Sequence, residues 1–161
     1  MYKFMTKDGM RINIPASTME HMEAHKDVDF AILNEALKKI SFKGDFLKTA
    51  VDMRRVIGTT SCVEVGPEDD ISYYYRKNRA GKTPFVKGRD KKDTSKIVII
   101  LRKTSKGIPI LITSWYGDIA PMEPWDARRK NLSDEEIEEC DIFWNTHALV
   151  YDESMIDFDK V

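Results

Sequence analysis

The chain has 161 residues, 42% of them hydrophobic and 33% charged, with a net charge of −1. That balance reads as a soluble globular fold rather than a disordered chain. No apolar run approaches the roughly 20 residues needed to cross a bilayer. The opening "MYKFMTKDGM" lacks the apolar stretch of a cleaved secretion signal. Cys62 and Cys140 stand far apart without a CxxC spacing, so free thiols in a reducing, cytoplasmic setting are expected.

The elements begin with "YKFMTKDGMRINIP", two short alternating runs either side of an Asp8-Gly9 turn, which predict a hairpin over residues 1–15. Ser17 with Glu20 three residues on reads as a capping box opening a helix that carries His21 and His25. Asp29 is placed to cap a second helix, in which Phe30, Leu33, Leu37 and Ile40 share a face. "DFLKTAVDMRRVIG" is ambiguous: Phe46, Ala50, Met53 and Ile57 have helical spacing with Gly58 as a C-cap, yet its end could already be strand. "TTSCVEV" and "DISYYYR" then read as strands around the turn "GPED". "IVIILR" and "IPILITSWY" make the central hairpin of a sheet, and "APMEPW" a proline-interrupted loop. Ser133 with Glu136 forms a further capping box, opening an acidic helix with Ile137, Cys140, Trp144 and His147 along one stripe. The expectation is an α+β fold: an N-terminal hairpin and helices packed on an antiparallel sheet of about four strands, with a C-terminal acidic helix. It is read as one domain over residues 1–161, ending in an acidic tail over 152–161.

The net charge hides an asymmetry. Residues 76–106 hold twelve Lys or Arg against Asp90 and Asp93, a balance of +10, whereas from Asn131 onward ten Asp or Glu stand against Lys160 alone, a balance of −9. A charge run is either a solvated face or a polyanion-binding surface. In "YYYRKNRAGKTPFVKGR", Tyr73, Tyr74, Tyr75 and Phe85 interleave with Arg76, Arg79, Lys82 and Lys87. Aromatics among cations suit single-stranded nucleic acid, which is held by stacking and by phosphate contacts. Alternatively, the tyrosines turn into a core and the basic loop is simply exposed.

The two histidines of "STMEHMEAHKDV" lie four residues apart, but the glutamate of an HExxH motif is replaced by Met22. Glu23 falls about 200° round the helix from His21. A zinc site built from His21 and His25 would need Cys62, Cys140 or His147, and no recognised spacing supplies them. No metal and no cofactor are therefore expected. Metal-free RNA cleavage needs a base for the 2′-hydroxyl, cations for the phosphorane and an acid for the leaving oxygen. Histidine suits the proton transfers and arginine the phosphate. P-loop, Rossmann and GxSxG patterns are missing.

The order of "RRVIGTTSCVEV", "DISYYYRKNRAGKTPFVKGR", "IVIILRK", "ILITSWYGDIAPMEPWD" and "FWNTHALVY" resembles phage- and toxin-associated domains of the barnase–EndoU–colicin–RelE ribonuclease superfamily, from about Ser17 to Tyr151. The resemblance implies N-terminal helices ahead of a four-stranded antiparallel sheet whose open face binds RNA. It further implies a metal-independent endoribonuclease that leaves a 2′,3′-cyclic phosphate, acting as a toxin or phage effector. By that resemblance a histidine of the N-terminal helices (His21 ahead of His25) joins Arg76 or Arg79 and Thr113 or Ser114, with His147 an additional candidate. The expected catalytic set is His21, His147, Arg79 and Thr113, and the expected RNA contacts are Arg76, Lys82, Lys87, Tyr75 and Ser114. The expected partners are RNA, with tRNA among the targets, and a protein antitoxin or host factor; no membrane is expected. The rival reading is a catalytically silent RNA-binding or protein-interaction factor of phage or mobile-element origin.

Overall fold

The structure is a computed structural model that describes residues 2–25 and 28–160, the side chains of 24 and 25 excepted. Two helices come first, α1 (Ala16–His25) and α2 (Phe30–Leu37). The strands β1 (Phe46–Asp52), β2 (Gly58–Thr60), β3 (Cys62–Glu64) and β4 (Asp70–Tyr75) follow. Next come β5 (Lys82–Lys87), β6 (Lys92–Thr94), β7 (Lys96–Lys103) and β8 (Pro109–Tyr116). A helix, α3 (Asp134–Thr146), leads directly into the strand β9 (His147–Val150). The fold is α+β with a C-terminal helix, and no described helix is long and apolar enough to cross a membrane. The chain divides into two compact units, residues 1–59 with 93–119, and residues 60–92 with 120–161.

In the first unit the sheet order is β1-β7-β8, all antiparallel. The segment "DFLKTAVD" is strand rather than helix: Leu47, Thr49 and Val51 point inward while Phe46, Lys48 and Ala50 are exposed. That two-residue alternation, locked by pairing of Val51 with Ile97 and Thr49 with Ile99, overrides the helical spacing. Asp29 caps α2 as expected, accepting from the amides of Ala31 at 2.7 Å and Ile32 at 3.4 Å. Ser17, by contrast, lies inside α1. The Met19 amide donates to the Pro15 carbonyl at 2.9 Å, so the helix opens ahead of the expected cap. Leu33, Ala36 and Leu37 of α2 pack with Ile97, Ile99 and Leu101 of β7 and Leu111 of β8 in one core. Each of these fully buried Leu and Ile side chains contributes roughly 1.5–3 kcal/mol relative to exposure. The N-terminal hairpin closes through a Met5–Arg11 bridge. Asn13 then covers the β8 edge, exchanging backbone hydrogen bonds with Pro109 and Leu111. Gly58 is not a helix cap; a side chain there would overlap the Tyr116 ring, standing 2.6 Å from its Cε2.

In the second unit the order is β3-β9-β5-β4. The outer pairings are antiparallel, but β5 and β9 run parallel. The strand-like runs of the sequence thus divide among separate sheets, and the four-stranded one is mixed. Both its faces carry a core: Val63, Val86, Ala148 and Val150 on one side, Phe85, Leu149 and Ile156 on the other.

Candidate nucleic-acid interface

Alternation along the β4–β5 pair decides which side chains can act together. Tyr73 lies opposite Pro84 and Tyr75 opposite Lys82, so these four share one face, while Tyr74, Thr83, Phe85 and Lys87 share the other. On the first face a cleft of about 230 Å³ is lined by Tyr73, Lys82, Pro84, Pro124, Trp125, Trp144 and Asn145. Tyr73 is 61% exposed there. Three aromatic rings, two prolines, one ammonium and one amide make an apolar slot with few polar groups, as small-ligand sites have.

The loop that supplies Pro124 and Trp125 is pinned at several points. Arg129 donates to the Pro124 carbonyl at 2.8 Å and to Asp141 of α3 at 2.6 Å. Trp144 donates its indole N–H to the Pro121 carbonyl at 3.0 Å. Glu123, 6% exposed, is held by Arg76 at 2.6 Å, and the same guanidinium donates to the Thr83 hydroxyl at 3.1 Å. Asp126 caps the short 3-10 helix Ala127–Asn131 through the Arg128 amide, and the Arg128 guanidinium beside it holds its carboxyl below the usual range. The wall of the cleft is therefore set before any ligand arrives.

The expected RNA contacts fall in different places. Tyr75 and Lys82 meet on the cleft face, with the Lys82 ammonium 5.5 Å from the ring centre. Lys87 is on the opposite face, 4.8 Å from the Tyr151 ring and 5.8 Å from that of Tyr74, whose phenol raises its pKa. Arg76 is a strut for Glu123 rather than a projecting cation. Ser114 belongs to the first unit and is buried, donating to the Val98 carbonyl at 2.7 Å; Thr113 points to the other side of that sheet. Arg79 is exposed in the β4–β5 turn.

The histidine pair is divided as well: His21 is exposed on α1 in the first unit, and His147 belongs to the second. The side chain of His25, the other N-terminal candidate, lies outside the described residues. His147 is not on the helix stripe but is its C-cap, with Nδ1 2.9 Å from the Phe143 carbonyl and the ring stacked at 3.9 Å on Phe143. With its proton on Nδ1 the ring donates to that carbonyl and leaves Nε2 as the acceptor; Nδ1 also lies 3.0 Å from the Thr146 hydroxyl. Among the described residues no group of three or more His, Cys, Asp or Glu side chains could hold a metal ion.

Sequence reasoning missed Pro84, Pro124, Trp125, Trp144 and Asn145 as site residues. The available signal was "EPW", a tryptophan in a loop with no periodic core to join. In comparisons with known proteins, no family model, no curated protein and no solved structure matches the chain.

Proposed function

We propose that the second unit binds single-stranded RNA, with an unstacked base entering the Tyr73–Trp125–Trp144 cleft and Lys82 meeting the backbone phosphate. The observation that carries this reading is the convergence of three aromatic rings and one ammonium in a preformed slot. A duplex presents its bases edge-on within the stack, so such a slot selects single strands. The unit holds twelve Lys or Arg against seventeen Asp or Glu. With that acidic excess, stacking rather than bulk charge must supply most of the affinity.

The test is binding of labelled single-stranded and duplex RNA of equal length. Trp125→Ala and Tyr73→Ala should each weaken single-strand binding by on the order of 10–100-fold, the worth of one base–aromatic stack. Equal binding of duplex, or unaltered affinity in both variants, overturns the reading. If no RNA binds, the exposed row Asp134, Glu135, Glu138 and Glu139 on α3 favours a basic protein partner instead, a host factor or antitoxin.

A second reading adds cleavage, in keeping with the resemblance to the barnase–EndoU–colicin–RelE ribonucleases. The observation that favours it is the contact of His147 Nδ1 with the Phe143 carbonyl, which holds the ring and, with the proton on Nδ1, leaves Nε2 to take the 2′-hydroxyl proton. Arg79, in the same unit as His147, would meet the phosphorane. Incubation with total RNA and with tRNA in EDTA tests this, the 2′,3′-cyclic phosphate being the expected product.

A further inference from the structure

We infer that the cleft and its rim take a single nucleotide unit, one base with its own phosphate, rather than a run of stacked bases; this rests on the single-strand reading above. Two independent features meet at Tyr75. Lys82, which lines the cleft, holds its ammonium 5.5 Å from the Tyr75 ring centre, and Lys160 holds its own 5.8 Å from the same centre. Lys160 is brought there by the chain's last described stretch. Lys77 donates to the Met155 carbonyl, Asp157 donates to the Tyr75 carbonyl at 2.8 Å, and the Lys160 ammonium donates to the Arg79 carbonyl at 3.1 Å.

Among the described residues neither Lys82 nor Lys160 forms an ion pair. The nearby Asp157 carboxylate accepts from the Asp159 amide. With two ammoniums beside one ring, at 5.5 and 5.8 Å from its centre, an anion that reaches this rim is attracted by both. Lys82 lines the aromatic slot and also stands beside Tyr75, the ring that Lys160 shares, which suits a phosphate whose attached base is in the slot. At about 230 Å³ the slot lies below the roughly 300 Å³ at which drug-sized sites begin. It has room for one ring system. The same chemistry could reach it as a free mononucleotide or as one extruded nucleotide of a strand.

The experiment titrates the whole protein with uridine and adenosine, with their 5′- and 3′-monophosphates, and with a single-stranded hexanucleotide, followed by calorimetry. At least one monophosphate should bind about tenfold or more tighter than its nucleoside, the effect of one charge-assisted contact. Lys160→Ala should remove most of that advantage and Lys160→Arg should restore it. Equal binding of nucleoside and monophosphate overturns the inference, as does a phosphate advantage that survives Lys160→Ala. Binding of the hexanucleotide with no binding of any monophosphate also overturns it while leaving the single-strand reading intact. Absence of binding by every probe sinks both. A hexanucleotide that binds no more than several-fold tighter than the best monophosphate supports one unit per site.

Discussion

A methyl group on Gly81 would overlap Cβ and Cγ of Trp125 and stand 2.7 Å from its Cδ1, so one wall of the cleft rests directly on the backbone at position 81. The atoms in the way are the stiff root of the indole, not a flexible tip, and cannot yield without moving the loop. Gly81→Ala should therefore cost about 1–3 kcal/mol as overpacking and also weaken RNA binding by displacing Trp125. Urea denaturation and binding measured on the same samples check this. Loss of stability with full RNA affinity would show that Trp125 is packing alone.

Arg76 and Glu123 give the second prediction. Removing the arginine leaves a carboxylate that is 6% exposed without its counter-charge. Arg76→Ala should destabilise the protein toward the lower end of about 3–5 kcal/mol, since the guanidinium keeps some contact with water. The Arg76→Ala, Glu123→Ala double variant should lose less than the two single losses combined. Were Arg76 a phosphate contact, its replacement would instead lower affinity and leave the urea midpoint in place.

Much of the fold was legible because local chemistry and burial agree. Asp29 and Ser133 cap the helices that their positions announce, and Val98, Ile99 and Leu101 fall in a buried strand as their β-branched, apolar run indicates. The reading of "DFLKTAVD" was undecided because Phe46 and Ala50 are apolar yet exposed, so the helical spacing they suggest has no core behind it. The site was legible only in part. Tyr75 and Lys82 meet because strand register pairs them, which a local run can suggest. Trp125 and Trp144 reach the same cleft from a loop and a helix, and nothing in sequence spacing encodes that convergence. Nor does spacing reveal that Arg76 is committed to a glutamate 47 positions away.

Salt dependence should be shallow. Affinity for single strands falls with a log–log slope of about −0.7 per neutralised phosphate. Lys82 and Lys160 offer contact with one or two phosphates, so a slope of about −0.7 to −1.4 is expected. Measuring affinity across a range of potassium chloride concentrations checks it. A slope several times steeper would place the interface on a broader cationic surface than this cleft.

Acid should loosen the cleft loop. In the folded protein the Arg128 side chain, then its backbone amide, hold the Asp126 carboxyl below its ordinary value. A group depressed on folding stabilises the fold fully above its unfolded pKa of about 3.9, and that contribution is lost as pH falls through the folded value. Urea midpoints of the wild type and Asp126→Asn should thus differ at pH 6 and converge at the acid end. Parallel curves would remove Asp126 from the acid response.

The histidine at the end of α3 separates a cap from a catalyst. His147 Nδ1 faces the Phe143 carbonyl at 2.9 Å, and the Thr146 hydroxyl meets the same carbonyl at 3.1 Å, so both satisfy the helix's last turn. An asparagine amide can donate in the manner of Nδ1 but has no basic nitrogen in place of Nε2. If His147 serves only as a cap, His147→Asn should keep both stability and any cleavage of RNA, whereas His147→Ala loses stability. If Nε2 takes the 2′-hydroxyl proton, His147→Asn should keep its melting temperature and RNA affinity and yet slow single-turnover cleavage by on the order of 10²–10⁴-fold. The second pattern is the one expected from the cleavage reading, together with loss of the limb of the pH–rate profile that reports the base. Cleavage at the wild-type rate by His147→Asn would confine this histidine to holding the helix end, and catalysis would then have to be sought without it.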